Sequence, residues 1–387
     1  MSTRTRLRVG PLAHRPSAAP VLDLDRLIDD PSTRIIVCCG SGGVGKTTTS
    51  AALALRAAER GRTVVVLTID PARRLAQSMG IDQLDNTPRP VGGVSGDGSL
   101  DAMMLDMKST FDEVVLSQAT PEKAKAILSN PFYIALSSSF AGTQEYMAME
   151  KLGQLDSKGD YDLIVVDTPP SRNALDFLDA PDRLSSFLDG RFIKMLVLPA
   201  RGPARIMSAG VGLITGALSK ILGGQFLTDL QTFVAAIDTV FGGFRQRAQK
   251  TYALLKAPGT AFLVVAAPEP DALREAAYFV ERLNGDRMPL AGLIVNRATI
   301  PPAGELSRAS ALAGAEHLEE QQPGSVTAGL LRLRFDRAVR VQRETQLTER
   351  FSAAHPRVPV AVVPALAGDV HDLDGLREVG DLLTTTP

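Results

Sequence analysis

Residues 34–49 read Arg34-Ile35-Ile36-Val37-Cys38-Cys39-Gly40-Ser41-Gly42-Gly43-Val44-Gly45-Lys46-Thr47-Thr48-Thr49, and a helical run from Ser50 to Arg60 follows. An apolar strand, a glycine-rich turn and a helix in that order make a phosphate-binding loop. Gly40, Gly42, Gly43 and Gly45, with Val44 among them, let successive backbone N–H groups converge on phosphate oxygens. The N-terminus of the helix adds positive dipole. Lys46 supplies a mobile ammonium and Thr47 a hydroxyl for magnesium. The ligand implied is a nucleotide with Mg2+; the bland alternative is a strand-to-helix turn that holds nothing.

Outward from this stretch the chain alternates strands with helices. Thr63 to Asp70 is a β-branched run suited to a strand buried on both faces, and Pro71 ends it. A loop rich in Gly, Pro and Ser covers Arg89 to Ser99, and a strand resumes from Leu100 to Met107. Further buried strands read at Leu163 to Asp167, Phe262 to Ala266, Leu290 to Asn296 and Val358 to Val363. Right-handed crossovers then predict an α/β fold, a doubly wound and mostly parallel sheet with helices on both faces. Ligands bind such sheets at the carboxyl ends of strands, where the loop, Asp70, Asp167 and Asn296 all fall.

Four segments are expected. Residues 1–30 form a mobile N-terminal arm that includes a short amphipathic piece near Val21 to Ile28. Residues 31–181 are the first part of the nucleotide core, 182–256 an apolar helical insertion, and 257–387 the second part, with a surface insertion near 301–322. The 182–256 insertion carries many Phe, Met, Leu and Ile residues, which either pack among themselves or line a groove for an apolar partner.

Composition narrows the classes. With 387 residues, 44% of them hydrophobic, the chain can build a substantial core, and a net charge of −1 gives no global attraction to nucleic acid. Two adjacent cysteines, Cys38 and Cys39, cannot build a disulfide framework and point to a reducing, cytoplasmic setting. No export signal is visible, and no apolar run reaches the roughly 20 residues of a membrane span. His14, His317, His355 and His371 lie too far apart for ligand spacing.

Nucleotide hydrolysis needs a cradle, a metal and a group that orients water. Asp167 closes the strand Leu-Ile-Val-Val-Asp, the pattern of a Walker B carboxylate that holds the magnesium shell through water; the alternative is an N-cap for the next turn. Asp70 opens Asp70-Pro71-Ala72-Arg73-Arg74, where a stiff turn would aim a water-positioning carboxylate at the γ-phosphate; the alternative is a simple turn residue.

Gly42 to Thr48, Asp70-Pro71-Ala72 and Asp167-Thr168-Pro169-Pro170-Ser171-Arg172-Asn173 resemble the phosphate loop, switch I and switch II of the ArsA-type ATPases, among their bacterial members. Pro268-Glu269-Pro270, Leu293-Ile294-Val295-Asn296 and Val363-Pro364-Ala365-Leu366 are similar to further landmarks of that family, so the likeness spans nearly the whole chain. The family contains the arsenite-pump ATPase and the eukaryotic ATPase that delivers tail-anchored membrane proteins; MinD and ParA are more distant relatives. The resemblance implies hydrolysis of Mg-ATP at a dimer interface, with Thr48 near the α-phosphate and Asn296 and Pro364 around the adenine. It also implies that the 182–256 insertion meets a hydrophobic client or a peripheral membrane partner.

Two departures stand out. Ser41 occupies the position where the family usually carries a lysine that reaches the nucleotide of the other subunit, and a serine is too short and uncharged to do so. A heterodimer with a lysine-bearing paralogue is therefore expected, with a homodimer as the alternative and Arg73, Arg74 or Arg172 as compensating cations. The placement of Cys38 and Cys39 inside a strand argues against arsenite and against a zinc-bridged dimer. The rival readings are a MinD/ParA-type positioning ATPase, which the acidic C-terminal helix from Asp372 to Leu383 disfavours, and a nucleotide-binding regulatory subunit with little hydrolysis.

Overall fold

The computed structural model describes residues 19–69, 74–131, 133, 134, 137, 143–169 and 244–384, without the side chains of 74, 143–145, 244 and 245. Asp70, Arg73, Arg172 and all of the apolar insertion before residue 244 lie outside the described residues.

Eight strands form one sheet: β1 (Ile35–Cys39), β2 (Thr63–Thr68), β3 (Arg89–Pro90), β4 (Ser99–Met104), β5 (Leu163–Asp167), β6 (Thr260–Ala266), β7 (Leu290–Ala298) and β8 (Val360–Pro364). Their order is β3-β4-β2-β5-β1-β6-β7-β8, parallel throughout except for β3. The doubly wound fold read from the strand–helix alternation is thus observed. Every residue of β1, β5 and β6 is buried, as their continuous apolar sequences require of strands covered on both faces. The register brings Cys38 beside Asp167 on one side and Leu263 on the other. The loop after β1 therefore leaves the sheet between the ends of β5 and β6.

Among the described residues the helices are α1 (Leu24–Asp29), α2 (Lys46–Glu59), α3 (Arg74–Ser78), α4 (Met107–Gln118), α5 (Pro121–Leu128), α6 (Thr143–Lys158), α7 (Phe244–Lys256), α8 (Pro270–Gly285), α9 (Arg308–Gln321), α10 (Val326–Ala354) and α11 (Leu373–Thr384). Helix α2 is alanine-rich and buried along most of its length, so it lies between the sheet and α11. Helix α7, which falls at the end of the segment 182–256 expected to be an insertion, packs on α6, where Gly153 comes so close that an added Cβ would stand 2.6 Å from Thr251 Oγ1. Arg247 meets the buried carboxylate of Glu150 at 2.9 Å in the same contact.

Three details differ from the sequence reading. The loop at 89–99 contributes the short antiparallel strand β3, which only edge pairing could reveal. The surface insertion near 301–322 is half of a hairpin, because α9 pairs with the 29-residue α10. Within the 1–30 arm, residues from Pro20 onward are anchored: Leu24 and Ile28 are fully buried, and Val21 bridges to Val360 of β8. Arg56 grips Asp25 through two hydrogen bonds of 2.6 and 2.9 Å, and Arg60 holds Asp29, joining α1 to α2. Both carboxyls are held below the usual range, chiefly by those guanidinium bonds.

At the amino ends of the strands, Arg62 donates to four backbone carbonyls, those of Ile28, Asp30, Thr33 and Asp162, at 2.7–3.2 Å. Burial pushes its pKa down, although Asp162 and other acids oppose this. No described helix is long and apolar enough to cross a membrane.

Candidate active site

The sequence forces a tight turn directly after β1. Gly40 has φ 149°, and a Cβ there would lie 2.1 Å from the carbonyl oxygen of Val265 on β6, so only glycine lets the chain leave the sheet at this point. Gly45, at φ 95° and ψ 23°, occupies the N-cap of α2 and brings no side-chain cap. The N–H groups of the first helical turn are therefore presented to the loop instead of to a capping side chain. Gly43 also has positive φ. The result is a hollow of backbone amides, which fits the oxygens of a triphosphate.

Lys46 is the first residue of α2 and only 5% exposed; its Nζ curls back to the Ser41 carbonyl at 2.8 Å, across the mouth of the loop. Thr47 Oγ1 donates to Asp167 Oδ2 at 2.7 Å, and Thr68 Oγ1 donates to the same oxygen at 2.9 Å. Asp167 is fully buried, and those hydroxyls help to hold its carboxylate in an apolar sheet. A hydroxyl and a carboxylate meeting beside the amide hollow suit a hard divalent cation that keeps several waters. Thr48, in the same helical turn, is half-buried.

Asn296 and Arg297 approach the loop from β7. Asn296 Nδ2 donates to the Val44 carbonyl at 2.9 Å, and Arg297 Nη1 donates to the Gly43 carbonyl at 2.8 Å. Arg297 has φ 63°, a left-handed conformation that costs a non-glycine residue on the order of 1 kcal/mol. Pro364 ends β8 opposite Ala298, and the Ala365 N–H donates to the Ala298 carbonyl at 2.9 Å. Between these groups and α8 lies a cavity of about 460 Å3, lined among others by Ser41, Gly43, Glu269, Arg297, Arg340 and Ala365.

Residues 40–48, Asp167 and Asn296 are thus gathered at one end of the sheet, with Pro364 two strands away from β1's neighbour β6. The water-positioning residue expected at Asp70 lies outside the described residues, as do Arg73 and Arg172. Sequence reading missed Thr68, Arg297 and Glu344. Thr68 could have been found from the parallel register of β2 and β5, which sets it beside Asp167. Glu344 of α10 accepts from the Thr299 N–H and hydroxyl, each at 2.7 Å, and no local signal announces that contact.

The two thiols sit directly below the loop. Burial pushes Cys38 up to about 12 and raises Cys39 as well, so both are inert at neutral pH.

Comparison with known proteins gives a consistent result. The family model described as anion-transporting ATPase matches residues 33–321. A protein of Malassezia globosa named ATPase GET3 is 32% identical over 165 residues, 43% of this chain and 47% of that protein. The ATPase get3 of Aspergillus terreus is 27% identical over 347 residues, covering 87% of this chain and 95% of its own length. The ATPase ARSA2 of Chlamydomonas reinhardtii is 28% identical over 285 residues, 72% of this chain and 71% of that protein. These relatives are fungal and algal, so they carry the family and not the bacterial branch.

Proposed function

The chain belongs to the anion-transporting ATPase family and is an ATPase, and on that premise we propose that it binds Mg-ATP at a subunit interface and couples hydrolysis to movement of the 182–256 insertion against an apolar client or a peripheral membrane partner. The observation that carries the reading is the 2.7 Å contact between Thr47 and Asp167 beneath the glycine hollow. Backbone amides of the loop and α2 would receive the β- and γ-phosphate oxygens, and Lys46 would turn from the Ser41 carbonyl to them. Thr47 would hold Mg2+ directly and Asp167 would hold it through water; the ion would neutralise charge that develops on the transferring phosphoryl group. Asp70 would orient the attacking water, and Asn296 with Pro364 would border the adenine.

Ser41 shapes the assembly. Its hydroxymethyl group cannot supply a cation to a neighbouring site, so a lysine-bearing paralogue is the expected partner of a cytoplasmic heterodimer. The same residue favours a second reading, in which the chain is a nucleotide-binding regulatory subunit with little turnover of its own. One set of measurements separates these: calorimetric ATP affinity and phosphate release for the chain alone, for the chain with its paralogue, and for Lys46→Ala and Asp70→Asn. Lys46→Ala should lose ATP binding, and Asp70→Asn should bind ATP but release no phosphate. Full activity of the single chain would remove the heterodimer, and intact ATP affinity in Lys46→Ala would remove the whole reading.

A further inference from the structure

We infer that Arg297 is a positioning residue that, beside the Asn296 bond to the Val44 carbonyl, orients the peptide planes of the phosphate-binding loop, so that the contribution of Arg297 to nucleotide binding is independent of the base. This rests on the nucleotide-binding reading above and extends it to a residue whose role is mechanical, while Asn296 keeps its place at the adenine.

The argument begins with strand register. Val295 pairs with Val362 and Ala298 with Pro364, so β7 spends three steps where β8 spends two. That is a bulge of one residue, and Arg297 at φ 63° occupies it. In a regular strand Asn296 and Arg297 would point to opposite faces of the sheet. Here both reach the same loop, binding the consecutive carbonyls of Val44 and Gly43. Asn296 Oδ1 also accepts from the backbone N–H of Arg297 at 3.0 Å, which fixes the Asn296 side chain to the main chain of the bulge.

A trans peptide carries its C=O and N–H in opposite directions. Pinning the Gly43 and Val44 carbonyls toward β7 therefore turns the N–H groups of Val44 and Gly45 away from β7. Those are amides that a triphosphate needs in a glycine-rich loop. The bulge is itself held from behind by α10, because Glu344 accepts from Thr299 and Arg337 Nε donates to the Ile300 carbonyl at 2.7 Å. A base-reading role would place the affinity in the adenine; a brace places it in the phosphates.

The test is calorimetry on the full chain, in its assembled complex where one forms, with Mg-ATP, Mg-GTP and inorganic tripolyphosphate. Arg297→Ala should weaken all three by the same factor, about three- to tenfold, the loss expected of one exposed charge-assisted hydrogen bond. Arg297→Lys should recover part of that loss, and the melting temperature of the ligand-free variants should match the wild type. A loss confined to ATP, no loss for tripolyphosphate, or a loss matched by a lower ligand-free melting temperature would overturn the brace. Lys46→Ala is the control: if it binds tripolyphosphate like the wild type, the nucleotide-binding reading fails. If it is silent while Arg297→Ala binds normally, only the brace fails.

Discussion

The two ends of the sheet use arginine on backbone carbonyls in opposite ways. At the amino end, Arg62 is part-buried and gathers four carbonyls from three segments, the C-terminal end of α1, the turn before β1 and the residue before β5, into a closed knot. At the carboxyl end, Arg297 is exposed and takes a single loop carbonyl, with Asn296 on the next one. The first arrangement ties three segments together and satisfies the part-buried carbonyls of Ile28 and Thr33, so it belongs to stability. The second leaves the matching N–H groups facing outward and belongs to binding. One side-chain chemistry thus serves two ends of one scaffold, and burial decides which role it plays.

Substitutions can break that division. The largest effect is expected at Gly45. Alanine there must adopt φ near 95°, and its Cβ would stand 2.3 Å from Asn296 Nδ2, displacing the side chain that holds Val44. Gly45→Ala should reduce ATP affinity at least tenfold by calorimetry and also lower the unfolding midpoint, because alanine at positive φ is strained by about 1–2 kcal/mol; tight ATP binding would show that the hollow tolerates rearrangement. Arg62→Ala should affect stability alone. Losing a guanidinium shared by four carbonyls should cost about 2–4 kcal/mol in urea unfolding, with ATP affinity unchanged. A variant that is stable but binds poorly would erase the contrast between the ends.

The smallest effect sharpens the picture at the α1–α2 clamp. Arg56 holds the Asp25 carboxyl below its usual value, so the pair stabilises the fold above the unfolded carboxyl pKa near 4 and loses that contribution as pH falls through the lower folded value. Asp25→Asn should therefore be less stable by under about 1 kcal/mol at pH 7, and the gap to the wild type should close as the pH is lowered toward 3. A gap that stays constant with pH would assign the effect to packing instead.

How far the sequence foretold this depends on the range of the signal. The loop at 40–47 and strands β1, β2 and β5 to β8 were legible because glycine spacing and apolar runs are local. Asp167 was legible for the same reason, as the polar end of a buried strand. Its partner Thr68 was not, because it depends on the register between β2 and β5. Arg297 was hidden by a bulge that exists only relative to β8. Helix α10 escaped because its arginines, glutamates and leucines are spread around the axis, with most of its surface exposed, so no single apolar face marks it. β3 escaped because two residues carry no period.

Strand β8 lies at the border of the sheet, and its outer side would offer free amides and carbonyls to any passing strand. Residues 20–22 cover part of it, with the Leu22 N–H on the Val360 carbonyl and the Val360 N–H on the Pro20 carbonyl. Proline contributes an acceptor there without adding a donor, so the cover does not itself become a new template. Residues 20–22 thus leave an incoming strand less open backbone to pair with along β8, a consequence unrelated to phosphate chemistry.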